Sequence, residues 1–466
     1  MDEDKPKRKR KQKETSGERK PRSAQQDALH AKNWKEYMAT VEDIQNFLMD
    51  RILLRHNVIT GRVEYRLPDS MPPKFFAEQS GKAERGGLWQ TWQPLCDRIV
   101  NSLWAELSAT KVVRVQDMYR VIESDFVPEF HPFRFYLEHL PPWDGQNHIL
   151  AMSVSVNVKG DVEEQMLFAE YLTKWLVGMV AGWVDDSVVN NVILVLIGEQ
   201  GSYKTTWFNY LLPPELSNYF YTKTNAQRMG RDDLLTLAQY GLVCCEELDT
   251  MRPSELNQLK AAVTMPSIDE RAAYAHFHEH RKHIASFCGT GNNAQFLSDP
   301  TGNRRWLPFE VKSIESPREH PFDYTGIYSQ AYALYRQGFR FWFSRDEILQ
   351  LAIHNKQFET PRLEHELVQL YFRRPADREP GEFISVALAL QMVGAGITQK
   401  LSSVLLGRAF MELGFERRTC RNVRGYIVVR RSAEEMRSLR SVMAQESSGP
   451  TPAPDVNTDT DDTVIF

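Results

Sequence analysis

The fold turns on Asn191-Val-Ile-Leu-Val-Leu-Ile-Gly198-Glu-Gln-Gly-Ser-Tyr-Lys-Thr-Thr206. Residues 191–197 form an apolar, β-branched run, the pattern of a strand buried on both faces. A glycine-containing loop follows, and residues 207–212 continue as helix. Strand, loop and helix in this order make a phosphate cradle, in which backbone N–H groups and the helix start face the anion. Lys204 is expected to reach the β and γ oxygens of ATP, and Thr205 to ligate Mg²⁺. Gly198, Glu199, Gln200, Gly201, Ser202, Tyr203 and Thr206 complete the loop. Tyr203 stands where such loops usually carry glycine, a residue that tolerates backbone angles a bulky side chain dislikes. Gly201 supplies a glycine two positions earlier.

Two further apolar runs end in polar clusters. Gly241-Leu-Val-Cys-Cys leads into Glu246 and Glu247. Aimed at the loop, Glu246 would sit near Mg²⁺ and Glu247 near an attacking water, or the reverse, and phosphoryl transfer uses both functions. Asp249, ahead of Arg252-Pro253-Ser254, suits capping of the next helix. Residues 284–291 form the other run and close on Asn292, a neutral donor for the γ-phosphate or the lytic water, though Asn is also a common turn residue. Beyond it, Arg304 and Arg305 in Thr-Gly-Asn-Arg-Arg suit an arginine finger acting on a neighbouring subunit, or a surface ion pair.

The order of these motifs, with the leader His131-Pro-Phe-Arg-Phe-Tyr-Leu-Glu-His-Leu-Pro-Pro-Trp-Asp-Gly145, resembles the virulence-associated protein E family. That family lies within the superfamily-three helicase-like ATPases, which include poxvirus-type primase-helicases. The likeness covers roughly residues 126–311. It implies an AAA+-like P-loop core, ring-forming homo-oligomers, movement on single-stranded or forked DNA, and a place in the replication or mobilisation modules of phages and mobile elements. A slow or non-hydrolysing nucleotide switch on DNA is the alternative that Tyr203 raises.

Around this core, the 466 residues are enough for two or three domains. With 42% hydrophobic and 25% charged residues and a net charge of -4, the chain reads as soluble and globular, with no overall polyanion-binding charge. The five cysteines are irregularly spaced and three lie in strand-like runs, so neither a disulfide framework nor a zinc site is expected. The longest apolar run, residues 175–184, is short of the roughly 20 residues that span a bilayer. A cytoplasmic protein without membrane contact is expected. The predicted fold class is α/β: residues 1–30 a disordered basic arm, 31–185 a mainly helical N-terminal region, 186–342 an ATPase core with a mostly parallel sheet, 343–440 a winged-helix-like domain, and 441–466 a disordered acidic tail. Residues 162–184 read as one long helix or a helix pair. Residues 31–185 carry no polymerase-type carboxylate constellation, and no primase activity is predicted for them.

Two segments are candidates for DNA contact. In residues 269–283, basic groups alternate with aromatics, and Arg271, Tyr274, His278, His280, Arg281 and Lys282 would neutralise phosphates and stack on bases. The same composition also suits a solvated connector. Near the end, residues 401–413 read as a helix followed by a hairpin with residues 421–425 as its turn, and Arg417, Arg418, Arg421 and Arg424 would meet phosphates.

Overall fold

A computed structural model of the chain describes residues 37–68, 92–223, 231–270, 279–297, 303–360, 362–395, 397 and 401–447. Residues 1–30, the 448–466 part of the acidic tail, and Arg271, Tyr274 and His278 lie outside the described residues. The chain divides into two compact units, Met1–Gly291 with Arg305–Ser344, and Asn292–Arg304 with Arg345–Phe466.

The first unit opens with helix α1 (Val41–Arg51), strands β1 (Leu53–Asn57), β2 (Arg62–Arg66) and β3 (Gln93–Pro94), helices α2 (Asp97–Ser108) and α3 (Val115–Ile122), and strand β4 (Glu129–Phe130). The four strands pair in the order β3-β2-β1-β4, so a small sheet accompanies the helices that dominate the region up to residue 185. Its charged strands obscure that pattern, because Arg55 is packed between the rings of Trp92 and Phe130, 4.2 and 3.6 Å from their centroids, and is paired with Glu64. Short helices α4 (Pro132–Glu138) and α5 (His148–Ser153) and strand β5 (Val156–Val158) lead into α6 (Val162–Val184).

Helix α6 is a single helix of 23 residues. Asp161 caps its start by accepting from Glu164 N (3.0 Å). Its second half is buried, and Trp175 donates its indole N–H to Phe287 O (2.9 Å) while Trp183 donates to Gly241 O (3.2 Å). Among the described residues, no helix is long and apolar enough to cross a membrane.

Next come β6 (Ile193–Ile197), α7 (Lys204–Asn209), β7 (Phe220–Lys223), α8 (Arg231–Gln239), β8 (Leu242–Cys245), α9 (Pro253–Val263), the β9 (Ser267–Glu270) and β10 (Glu279–Lys282) pair, β11 (Ser286–Gly291), β12 (Trp306–Ile314) and α10 (Tyr324–Arg336). Six strands form one sheet in the order β5-β12-β6-β11-β8-β7. All pairs are parallel except β5 with β12. The continuous apolar runs follow from this, since every residue of β6, β8 and β11 is buried. Strand β5 joins the sheet ahead of residue 186, because its two buried valines fill the edge beside β12.

The second unit contains α11 (Arg345–His354), α12 (Leu363–Tyr371), β13 (Phe372–Arg373), β14 (Glu382–Ser385), α13 (Val386–Val393), α14 (Ser403–Glu412), β15 (Arg417–Cys420), β16 (Val423–Arg430) and α15 (Ala433–Ser447). Residues 441–447 are therefore helical, not tail. The core gathers Val368, Phe372, Ile384, Leu406, Phe410 and Val428, with Phe410 stacked on Tyr426 at 4.8 Å. The β15–β16 turn holds two residues and not five. Arg421 and Asn422 have φ of 50° and 63°, and Cys420 pairs directly with Val423. Two positive φ values are what a tight two-residue hairpin turn requires.

Candidate nucleotide site

Parallel strands bring their carboxyl ends to one side of the sheet. From β6 the chain crosses to β7 on one side, and after β11 it returns to β12 on the other, so the order reverses around β6. The crevice at such a reversal is where open α/β sheets bind ligands. The loop 198–203 leaves β6 at this point, and Gly198 N donates to Gly291 O at the end of β11 (3.1 Å).

Lys204 is buried, and its ammonium donates to Gly198 O (2.8 Å), Glu199 O (2.7 Å) and Ser202 Oγ (3.2 Å). The lysine is thus held inside the loop, turned toward its own carbonyls. Burial pushes its pKa below the usual lysine range, and the Asp249 carboxylate pulls against that shift. Thr205 and Thr206, half-buried, open α7 beside it. Gly201 has φ of 85°, a left-handed angle that suits glycine. Tyr203 also lies in the left-handed region, at φ 61° and ψ 14°, with its side chain 47% exposed. The backbone demand read from the missing glycine is real, and a tyrosine meets it.

Glu246 and Glu247 follow β8, which is separated from β6 only by β11. With Cys245 level with Gly289 and Gly291 level with Ile197, the carboxylate pair stands at the height of the loop, two strand spacings or about 10 Å away. Glu246 is half-buried and Glu247 exposed, the latter at φ 54° where the chain turns into the short helical turn Leu248–Thr250. That turn lies over the end of β11. A Cβ at Gly289 would stand 2.3 Å from Leu248 Cδ1, and one at Gly291 would stand 3.1 Å from Asp249 Oδ1. Asp249 therefore stands over the end of β11 and does not cap α9. Helix α9 is capped instead by Glu255, whose Oε2 accepts from Arg252 N (2.8 Å). Reading Asp249 correctly needed the glycine two positions past Gly289, which leaves room for a carboxylate.

Asn292 follows Gly291 in the chain and is exposed. It opens the segment 292–304 of the second unit, which is held by residues 355–360. Phe296 N donates to Phe358 O (3.1 Å), Thr360 N to Leu297 O (2.9 Å), Asn303 Nδ2 to Glu359 Oε1 (2.7 Å) and Asn355 Nδ2 to Asn303 O (2.8 Å). Arg304 is exposed and Arg305 half-buried, in the turn Asn303–Arg305 just before β12. Trp306 pairs with Ile193 at the amino end of β6, so Arg305 sits roughly 16 Å of strand away from the loop.

Of the first DNA candidate segment, the flanks form the antiparallel β9–β10 pair. His280 is tied to Asp269 (2.6 Å), and the Arg281 guanidinium lies against Gly61, where a Cβ would meet Nη2 at 2.6 Å. Lys282 is exposed. In the second segment Arg417, Arg418, Arg421 and Arg424 are all exposed on the hairpin. Register puts Arg417 and Arg424 on the face shared with Tyr426, and Arg418 on the other.

Comparison with known proteins bears out the family resemblance. Residues 137–360 match the virulence-associated protein E-like domain, a stretch that extends past the sheet to the residues holding the Asn303–Arg305 turn. Solved structures of the NrS-1 C-terminal region (305–718) are similar at 11% identity, covering 83% of this chain and 98% of that one, with a TM-score of 0.44. A second NrS-1 form aligns at 12% identity over 83% and 99%, with a TM-score of 0.43. No curated protein matches the chain.

Proposed function

Because residues 137–360 carry a virulence-associated protein E-like domain, we propose that the chain is an ATP-hydrolysing, DNA-associated motor of a phage or mobile-element replication or mobilisation module. The observation that carries this reading is Lys204, a buried ammonium held in the loop at the carboxyl end of the strand around which the sheet order reverses. A lysine so placed has carbonyls as its partners and can exchange them for phosphate oxygens without moving the backbone.

The residues fit ATP with Mg²⁺. The loop would supply backbone donors, Thr205 and Glu246 would hold the metal, and Asp249, whose carboxylate lies beside Gly291, would offer a further oxygen. When bound, the metal neutralises charge on the phosphates. Glu247 would orient water and accept its proton. Asn292 would report the γ-phosphate. Arg304 or Arg305 would act on an adjacent subunit's site, since the register separates Arg305 from its own loop. This arrangement supports a homo-oligomer, with an AAA+-like core as its fold.

In the second unit the order α12, β14, α13, α14, β15, β16 supports reading it as a winged-helix-like domain. Its exposed hairpin arginines support contact with DNA backbone, with Lys282 as a further contact in the first unit. The left-handed Tyr203 favours a second reading, a slow nucleotide switch on DNA. The test is nucleotide binding by a Lys204→Ala variant of confirmed fold. Binding and turnover should both be lost, and unchanged hydrolysis would end the ATPase reading. Glu247→Gln should keep binding and lose turnover, and the same outcome for Glu246→Gln instead would reverse the order of the two carboxylates.

A further inference from the structure

The exposed face of α14 meets the β15–β16 hairpin across a cavity of about 420 Å³. Val404, Arg408 and Met411 line it from the helix, at the spacing of one helical face, and Arg417, Arg424 and Tyr426 line it from the hairpin. Val404 and Met411 are 63% and 50% exposed, large values for apolar side chains. Among the described residues, none of the three arginines has an ion-pair partner. The nearby carboxylates face elsewhere, Glu412 toward Arg362 (3.2 Å) and Glu416 toward Arg418 (3.8 Å). The groove is thus cationic at its rim and apolar along one wall.

We propose that it receives this chain's own acidic segment, residues 455–466. That segment carries Asp455, Asp459, Asp461 and Asp462 with no basic residue, followed by Val464, Ile465 and Phe466. Four carboxylates beside three adjacent apolar side chains complement three arginines beside Val404 and Met411 in both charge and hydropathy. Helix α15 ends at Ser447, within the same unit, and residues 448–466 can extend about 60 Å from it, enough to reach any face of a unit this size. Docking there would screen Arg417 and Arg424 from other anions, so the tail competes with whatever polyanion the hairpin meets. The proposal concerns the groove alone and holds whether or not the chain hydrolyses ATP.

The test uses the chain truncated after Ser447 and a fluorescein-labelled peptide of residues 452–466, followed by anisotropy at low salt. Saturable binding is expected. Arg408→Ala, Arg417→Ala and Arg424→Ala combined should weaken it about tenfold or more, as exposed ion pairs are each worth about a factor of two to five. Replacing Val464, Ile465 and Phe466 by Ser in the peptide should also weaken it, which separates the groove from a purely charged patch. The intact chain should bind the labelled peptide more weakly than the truncated one. Equal binding by the folded triple-arginine variant would overturn the proposal and direct the tail to another basic surface, such as Lys5–Lys13. A duplex oligonucleotide that needs the three arginines, with no peptide binding, would overturn it in favour of a nucleic-acid surface.

Discussion

Replacing Tyr203 separates backbone strain from side-chain chemistry. A non-glycine residue in the left-handed region costs about 1–2 kcal/mol, and Tyr203 sits there at φ 61°. Tyr203→Ala removes the ring but keeps that cost. Tyr203→Gly removes both, while the greater freedom of glycine in the unfolded chain returns about 0.4–1 kcal/mol. The glycine variant should therefore exceed the alanine variant by about 0.8 kcal/mol. Because the ring is 47% exposed, little packing is lost in either. In a unit of this size that difference corresponds to about 1 °C in Tm. Urea unfolding and calorimetry of the two variants measure it, and nucleotide titration of the glycine variant should give affinity equal to or above that of the unaltered chain. An alanine variant as stable as the glycine variant would refute the strain argument. A large loss of affinity in the glycine variant would show that the ring itself packs on the nucleotide.

Mixing Arg304→Ala/Arg305→Ala protein with Lys204→Ala protein should recover part of the hydrolysis each has lost, and verified mixed oligomers without recovery would exclude a finger acting between subunits. Changing Arg417, Arg418, Arg421 and Arg424 together to Ala should weaken DNA binding and flatten its salt dependence, by up to about one counterion per lost phosphate contact; an unchanged slope in salt titrations would move the contact away from the hairpin. His131 titrates low, at about 4, chiefly because it is buried, with Arg134 adding to the shift. Its neutral form caps α4, with Nδ1 accepting from Arg134 N (3.2 Å). Because the unfolded chain takes up this proton near pH 6.5 and the folded one only near 4, stability should fall as pH drops through that window. His131→Asn, which keeps a capping acceptor, should flatten the fall in urea midpoints measured from pH 7 to pH 4.

The legible parts of the fold were those with uniform burial. Strands β6, β8 and β11 are covered on both faces, so their apolar runs announce them. The loop and the glutamate pair were readable because they directly follow those runs. Strand β5 was not, since three residues carry no period. The N-terminal sheet was hidden because Arg55 spends its charge on Glu64 and its flat face on two aromatic rings, so a partly buried strand looks polar. Asp249 was misjudged for a related reason: its local sequence fits a cap, while its position depends on Gly291, more than forty residues on. The hairpin was readable, but its turn length was not, because Arg421 takes a left-handed angle more often held by Gly or Asn.

The account stands on phosphate handling by Lys204 coupled to DNA, and steady-state ATP hydrolysis with and without single-stranded DNA tests it most directly. Hydrolysis that requires Mg²⁺, rises when single-stranded DNA is added and vanishes in the folded Lys204→Ala variant is the predicted result. Hydrolysis that persists unchanged in Lys204→Ala, or an unaltered chain that neither binds nor turns over ATP in the presence of DNA, would contradict it.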